Sequence, residues 1–178
     1  MRKLANEELN RKSIKDFHES PKAPFVVVLD NIRSLNNIGS VFRTADAFLI
    51  EAVYLCGITA TPPHREINKT ALGATESVSW NYFPDTADAV RSLREEGYVI
   101  VSVEQAEGSI SLADFIADKG RKYALIFGHE INGVSQEVIG LSDSCIEIPQ
   151  FGTKHSFNIA VSAGIVLWEL SGRIRNEK

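Results

Sequence analysis

Residues 25–48 read FVVVLDNIRSLNNIGSVFRTADAF, and the change of hydrophobic period inside this stretch sets the fold class. Phe25–Asp30 is a short run of apolar, mostly β-branched side chains without alternation, which predicts a strand covered on both faces. From Asn37 to Phe48 the apolar residues Val41, Phe42, Ala45 and Phe48 recur at helical spacing. Working outward, Val53–Cys56 predicts a second strand, followed by a Pro-containing loop at 61–64. Ser79–Phe83 predicts a third strand, with Trp80 and Tyr82 on one face. Thr86–Glu96 predicts a helix stopped at Gly97, because glycine tolerates the left-handed backbone of a helix end. Tyr98–Val103, Tyr123–Phe127 and Cys145–Ile148 complete the strands, the last closed by Pro149. Ser156–Leu170 predicts an amphipathic helix with Ile159, Ala163, Val166, Leu167 and Leu170 on one side. Upstream, Leu4–Phe17 predicts a charged, peripheral N-terminal helix within residues 1–20. Strands alternating with helices imply an α/β fold, a mostly parallel sheet with helices on both faces, in one domain over residues 1–178.

Composition narrows the function classes. The chain has 178 residues, 44% apolar and 24% charged, which excludes a disordered or fibrous protein. A domain of this size buries roughly 70% of its unfolded surface and requires no disulfide or metal staple. Lys plus Arg number 19 against 23 Asp plus Glu, a net charge of −4. That excludes nucleic-acid wrapping by bulk charge but leaves room for a local basic patch. Cys56 and Cys145 lie in apolar, strand-like runs and read as reduced core thiols; no metal is expected. No run reaches the ~18 apolar residues of a membrane span, and no signal-type segment is evident. The expected protein is soluble and cytoplasmic.

Ligands of open α/β sheets bind beyond the carboxyl ends of the strands, and three such ends carry unusual residues. The first runs through Asn31, Arg33, Asn36 and Asn37 into the helix bearing Arg43. Its asparagines can cap the helix, whereas Arg43 lies among apolar residues, where a guanidinium can clamp a phosphate or carboxylate. The second, Phe127–Val134, has two glycines that admit a close ligand, and Glu130 can bind a cationic or hydroxyl group. It is neither GxGxxG nor HExxH, which disfavours a dinucleotide enzyme and a zinc hydrolase. The third, Ile148–Asn158, carries Ser156 as a candidate helix cap, with His155 beside it. A Ser/His hydrolase is poorly supported, since no GxSxG elbow exists.

In order and spacing these segments resemble the motifs of the SpoU/TrmH family of RNA 2′-O-ribose methyltransferases, within the SPOUT superfamily. Asn37, Gly39, Arg43 and Thr44–Ala47 match the first motif. Gly128, Glu130, Gly133, Asp143 and Ile146–Pro149 match the second, and Ser156–Gly164 the third. The resemblance covers about Phe25–Leu170. It implies a deep C-terminal trefoil knot (about residues 123–170), bound S-adenosylmethionine, a homodimer and an RNA substrate, with tRNA slightly favoured over rRNA. It implies a catalytic set of Arg43, Asn37, Glu130, Ser156 and Asn158. The cofactor would lie against Val103, Glu104, Gln105, Gly128, Ile148, Phe157 and Asn158. RNA would be held by Arg33, Arg43, His64, Arg65, Lys69 and Lys154. Transfer from a sulfonium requires no metal, but the attacking hydroxyl must lose its proton and be held in line. Arg43, whose kind has a pKa above ~12, suits a phosphate clamp and alkoxide stabiliser better than a base. Gln150 and His155, at the substrate entrance, differ from the residues common there in the family. A base methyltransferase of the same superfamily and a non-catalytic knotted RNA-binding or assembly factor are the alternatives.

Overall fold

In the computed structural model, which describes residues 1–175, the elements follow in this order. After a 3-10 turn at Asn6–Leu9 come α1 (Ile14–Glu19), β1 (Ala23–Asp30), α2 (Leu35–Ala47), β2 (Ile50–Cys56), α3 (Arg65–Ala71), α4 (Ala74–Ser77) and β3 (Ser79–Phe83). Next are α5 (Thr86–Glu95), β4 (Tyr98–Val103), β5 (Ile110–Ser111), β6 (Lys122–Phe127), α6 (Gln136–Gly140), β7 (Ser144–Glu147) and α7 (Ile159–Arg175). The strands form one sheet in the order β3-β2-β1-β6-β4-β7-β5, and every neighbouring pair is parallel.

Period two divides the core of this sheet into two layers. Phe25, Val27 and Leu29 face the layer filled by Val41, Phe42 and Ala45 of α2 and by Ala163, Val166, Leu167 and Leu170 of α7. Val26 and Val28 face the other, filled by Ala89, Val90 and Leu93 of α5 and Val138 of α6. Covering on both faces is why β1 shows no polar alternation, as its sequence predicts. The register then aligns four carboxyl ends: Leu29 opposite Phe127, Phe127 opposite Val103, and Val103 opposite Ile146.

The expected N-terminal helix over Leu4–Phe17 is divided. Asn10 closes the first turn in the left-handed region, at φ 47°. Ser13 starts a new helix, its hydroxyl accepting from Asp16 N while Asp16 accepts from Ser13 N, both at 3.1 Å. Phe17 is buried in the core, so this end of the chain is anchored as well as peripheral. The 61–64 loop leads into α3, which His64 caps by accepting from Glu66 N at 3.1 Å. Arg65 and Lys69 stand on this helix. That helix seats against α2 at Gly39, where an added Cβ would lie 2.2 Å from both Ile67 O and Thr70 Oγ1.

Gly39→Ala is expected to destabilise the fold by about 1–3 kcal/mol, because backbone on α3 cannot yield to the new methyl. Gly172→Ala, within α7 with nothing in 4 Å of its added Cβ, is expected to gain about 0.5–1 kcal/mol. Thermal unfolding of the two variants beside the parent checks both signs.

Candidate active site

The aligned strand ends open into a cleft of about 550 Å³. Its walls come from the segment after β4 (Val103, Glu104, Gln105), the loop after β6 (Phe127–Gly133) and the chain between β7 and the first turn of α7. Ile148, Ser156, Phe157 and Asn158 line this last wall, so every residue expected at the cofactor lies in one cleft, with Glu130 and Ser156 beside them.

Local geometry fixes each wall. After β6 the chain folds into a tight hairpin, His129 N donating to Gly133 O at 3.0 Å and Gly133 N to His129 O at 2.8 Å. Nδ1 of His129 accepts from Ile131 N and Asn132 N at 3.1 and 3.2 Å. Gly128 has to be glycine here, since a Cβ would meet Gly133 C and Val134 N at 2.1 Å. Gly133, at φ +67°, is tied to β4 through its neighbour: Glu104 Oε2 accepts from Val134 N at 2.9 Å.

Glu130 reaches out of this hairpin to the start of α2. Its carboxylate accepts from Ser34 N at 2.9 Å, from Arg33 N at 3.1 Å and, at 3.4 Å, from Asn37 Nδ2. Asn37 Oδ1 in turn accepts from Asn158 Nδ2 at 3.0 Å. Three segments distant in sequence thus meet in one hydrogen-bonded row, Glu130–Asn37–Asn158. Burial presses the Glu130 carboxyl upward, but the backbone donors of Arg33, Ser34 and Glu130 itself, with the Asn37 amide, outweigh it and hold it below its ordinary range.

Two capping expectations are corrected. Ser34, rather than an asparagine, caps α2 by accepting from Asn37 N. Asn158, rather than Ser156, starts α7, its Oδ1 accepting from Ala160 N at 2.9 Å, while Ser156 is exposed in the preceding loop.

Arg43 does not join this row. It is solvent-exposed, contrary to its apolar sequence surroundings, and lines a second cleft of about 550 Å³. Six residues along α2 from Asn37 amount to about 9 Å and a different helix face. Arg11, Lys12 and Arg175 stand in that second cleft with it, opposite Asp46 and Glu76. Arg11 and Lys12 were not legible as site residues, because a short charge run in a sequence signals only exposure. Charge is segregated between the clefts: the first has Glu104, Glu130 and Glu147 and no Lys or Arg in its walls, the second is mostly basic. Of the other expected RNA contacts, Arg33 and Lys154 are exposed near the first cleft, and His64, Arg65 and Lys69 stand at α3, Lys69 paired with Glu66 at 2.7 Å. Among the described residues no group of three or more His, Cys, Asp or Glu side chains could hold a metal ion, and no helix is long and apolar enough to cross a membrane.

The sequence profile of the SpoU rRNA Methylase family matches residues 24–168. The chain belongs to this family. It is 28% identical over 162 residues to a tRNA (guanosine(18)-2′-O)-methyltransferase of Thermus thermophilus, covering 91% of this chain and 81% of that one. It is 32% identical to a 23S rRNA (guanosine-2′-O-)-methyltransferase of Ralstonia nicotianae, covering 90% of this chain and 63% of that one. Among solved structures, the AdoMet-bound rRNA methyltransferase of Sinorhizobium meliloti superposes with a TM-score of 0.79 at 29% identity, over 86% of this chain and 57% of its own. Family membership agrees with the α/β fold and the parallel sheet.

The lowered Glu130 carboxyl implies a sign. Anchoring by the charged form is complete above the unfolded-state value and is lost only as pH falls through the native one. An NMR titration is expected to give Glu130 a midpoint below the ordinary glutamate value of about 4.3, and Asn37→Ala is expected to raise it. A midpoint at or above that value would mean the row does not form.

Proposed function

We propose that the chain is an S-adenosylmethionine-dependent RNA 2′-O-ribose methyltransferase acting on tRNA or rRNA, with tRNA the first substrate to test. The observation that carries this reading is the Glu130–Asn37–Asn158 row at the mouth of an acidic cleft, in a chain of the SpoU family.

The first cleft suits the cofactor by charge and by shape. Its three carboxylates favour a ligand bearing a sulfonium and an ammonium. Backbone beside Gly128, Ile148 and Phe157 would hold the adenosine, and Asn158 the methionine end. Bound there, S-adenosylmethionine supplies an electrophilic methyl group on a good leaving sulfide. Asn37 and Glu130 set the edge of the cleft, and Ser156 faces the incoming hydroxyl. Arg43 clamps the RNA phosphate and stabilises the alkoxide as the 2′-hydroxyl gives up its proton to solvent water.

The reading includes a homodimer, which the helix geometry supports. Asn37 and Arg43 of one chain do not converge, and in this reading the Arg43 of a second copy would complete the cleft. Val161 and Trp168, seven residues apart on α7 and 50% and 71% exposed, offer an apolar stripe for that contact. The further parts of the reading are a single domain over residues 1–178, a trefoil knot at about 123–170 and a cytoplasmic location; residues 176–178 lie outside those described. Arg33, His64, Arg65, Lys69 and Lys154 would add phosphate contacts, making RNA affinity sensitive to salt.

Incubation with labelled S-adenosylmethionine and unmodified tRNA and rRNA, followed by nuclease digestion and mass spectrometry, tests the reading. Label is expected on a 2′-O-methylated nucleotide, reduced by about 10²-fold or more in Arg43→Ala while cofactor binding persists. Label on a base would identify a base methyltransferase. No label on either RNA, with cofactor bound, would favour a non-catalytic RNA-binding factor.

A further inference from the structure

From Pro149 to Phe157 the chain crosses the open side of the first cleft without helix or strand, and Phe151–Asn158 are all exposed. Gln150, His155, Ser156 and Phe157 of this strap line the cleft. Among the described residues the strap has one hydrogen bond to the rest of the chain: Gln105 Nε2 donates to His155 O at 2.8 Å. The residue before it, Glu104, holds the facing wall, accepting from Val134 N at 2.9 Å and from Gln105 N at 2.8 Å. Both carboxylate oxygens of Glu104 are therefore engaged by backbone, and the Gln105 amide is spent on the strap. Two adjacent residues at the end of β4 tie down the two walls between which a ligand must fit.

We infer that Gln105 is a positioning residue for the cofactor, its side-chain amide latching the Pro149–Phe157 strap across the cleft while Glu104 fixes the opposite wall. The inference rests on the reading of this cleft as the S-adenosylmethionine site. A latch of this kind acts on binding rather than on chemistry. With it made, the strap is held in its ligand-ready place before the ligand arrives, so less ordering is left to oppose binding. One neutral hydrogen bond at an exposed site is worth a small factor, about three- to tenfold in affinity. Removal leaves no buried group unsatisfied, because the His155 carbonyl turns to water. The effect is thus separable from folding, which depends on the two core layers and not on the strap.

The test uses Gln105→Met, which keeps length and neutrality but has no donor. Three quantities are compared with the parent: the dissociation constant for S-adenosylmethionine by calorimetry without RNA, the melting temperature, and the rate of tryptic cleavage after Lys154 in the free protein, read by mass spectrometry. The expected result is a dissociation constant raised about three- to tenfold, an unchanged melting temperature and faster cleavage after Lys154. In the methylation assay KM for S-adenosylmethionine rises by the same factor and kcat stays within about twofold. Unchanged cleavage after Lys154 overturns the latch, whatever the cofactor does. Faster cleavage with unchanged affinity overturns the positioning role, and so does a melting temperature that falls in step with affinity. A parent protein that binds no S-adenosylmethionine overturns the functional reading and the positioning role with it, while cleavage after Lys154 separately reports whether the strap is latched.

Discussion

Four parallel strands, β1, β6, β4 and β7, finish at one level because their hydrogen-bond register sets Leu29, Phe127, Val103 and Ile146 side by side. Everything at the candidate site follows from that alignment. Each strand end releases a loop into the same space, and each loop arrives with polar groups that the sheet no longer satisfies. The Glu130 carboxylate collects the N–H groups at the start of α2, and Glu104 collects Val134 N. Both are carboxylates answering unpaired backbone donors, the same physical need that helix caps meet elsewhere. A slip of one residue in the register would turn each inward side chain to the other face of the sheet and disperse these partners.

The main layers were legible because their signal is local. A run such as Phe25–Leu29, apolar at every position, has few alternatives to a strand buried on both faces, and α2, α5 and α7 declare themselves by helical spacing. The short helices were not legible, since α3, α4 and α6 have too few residues for a period to show, and α3 is held by tertiary contacts such as that at Gly39. The split N-terminal helix turns on Asn10 adopting a left-handed backbone, which asparagine tolerates but does not require. The residues expected at the cofactor were read from ordered motifs rather than from any one of them, and they meet in one cleft. Arg43 shows the limit of that approach. Its apolar neighbours suggested a sheltered guanidinium, but on a helix Val41, Phe42 and Ala45 point inward while Arg43 points out. The hydrogen bond from Gln105 to His155 was beyond sequence reasoning, because it joins residues fifty positions apart through a side chain and a backbone carbonyl.

The two clefts divide the electrostatic work. An acidic space at the strand ends and a basic one beside α1 and α2 favour ligands of opposite charge. With a net charge of −4, the protein nonetheless concentrates Arg11, Lys12, Arg43 and Arg175 in the second cleft, where an anionic polymer is attracted.

Helix α2 carries residues facing both spaces, Asn37 toward the first and Arg43 toward the second, and Gly39 between them lets α3 press directly against its backbone. The rod is therefore clamped near its middle and can neither bend there nor slide without taking α3 along. Mechanically it behaves as a lever with a fixed pivot: a rotation that lifts Asn37 from its amide partner also swings Arg43. Asn37 and Arg43 keep a constant spacing of about 9 Å along the axis, like two marks on one ruler.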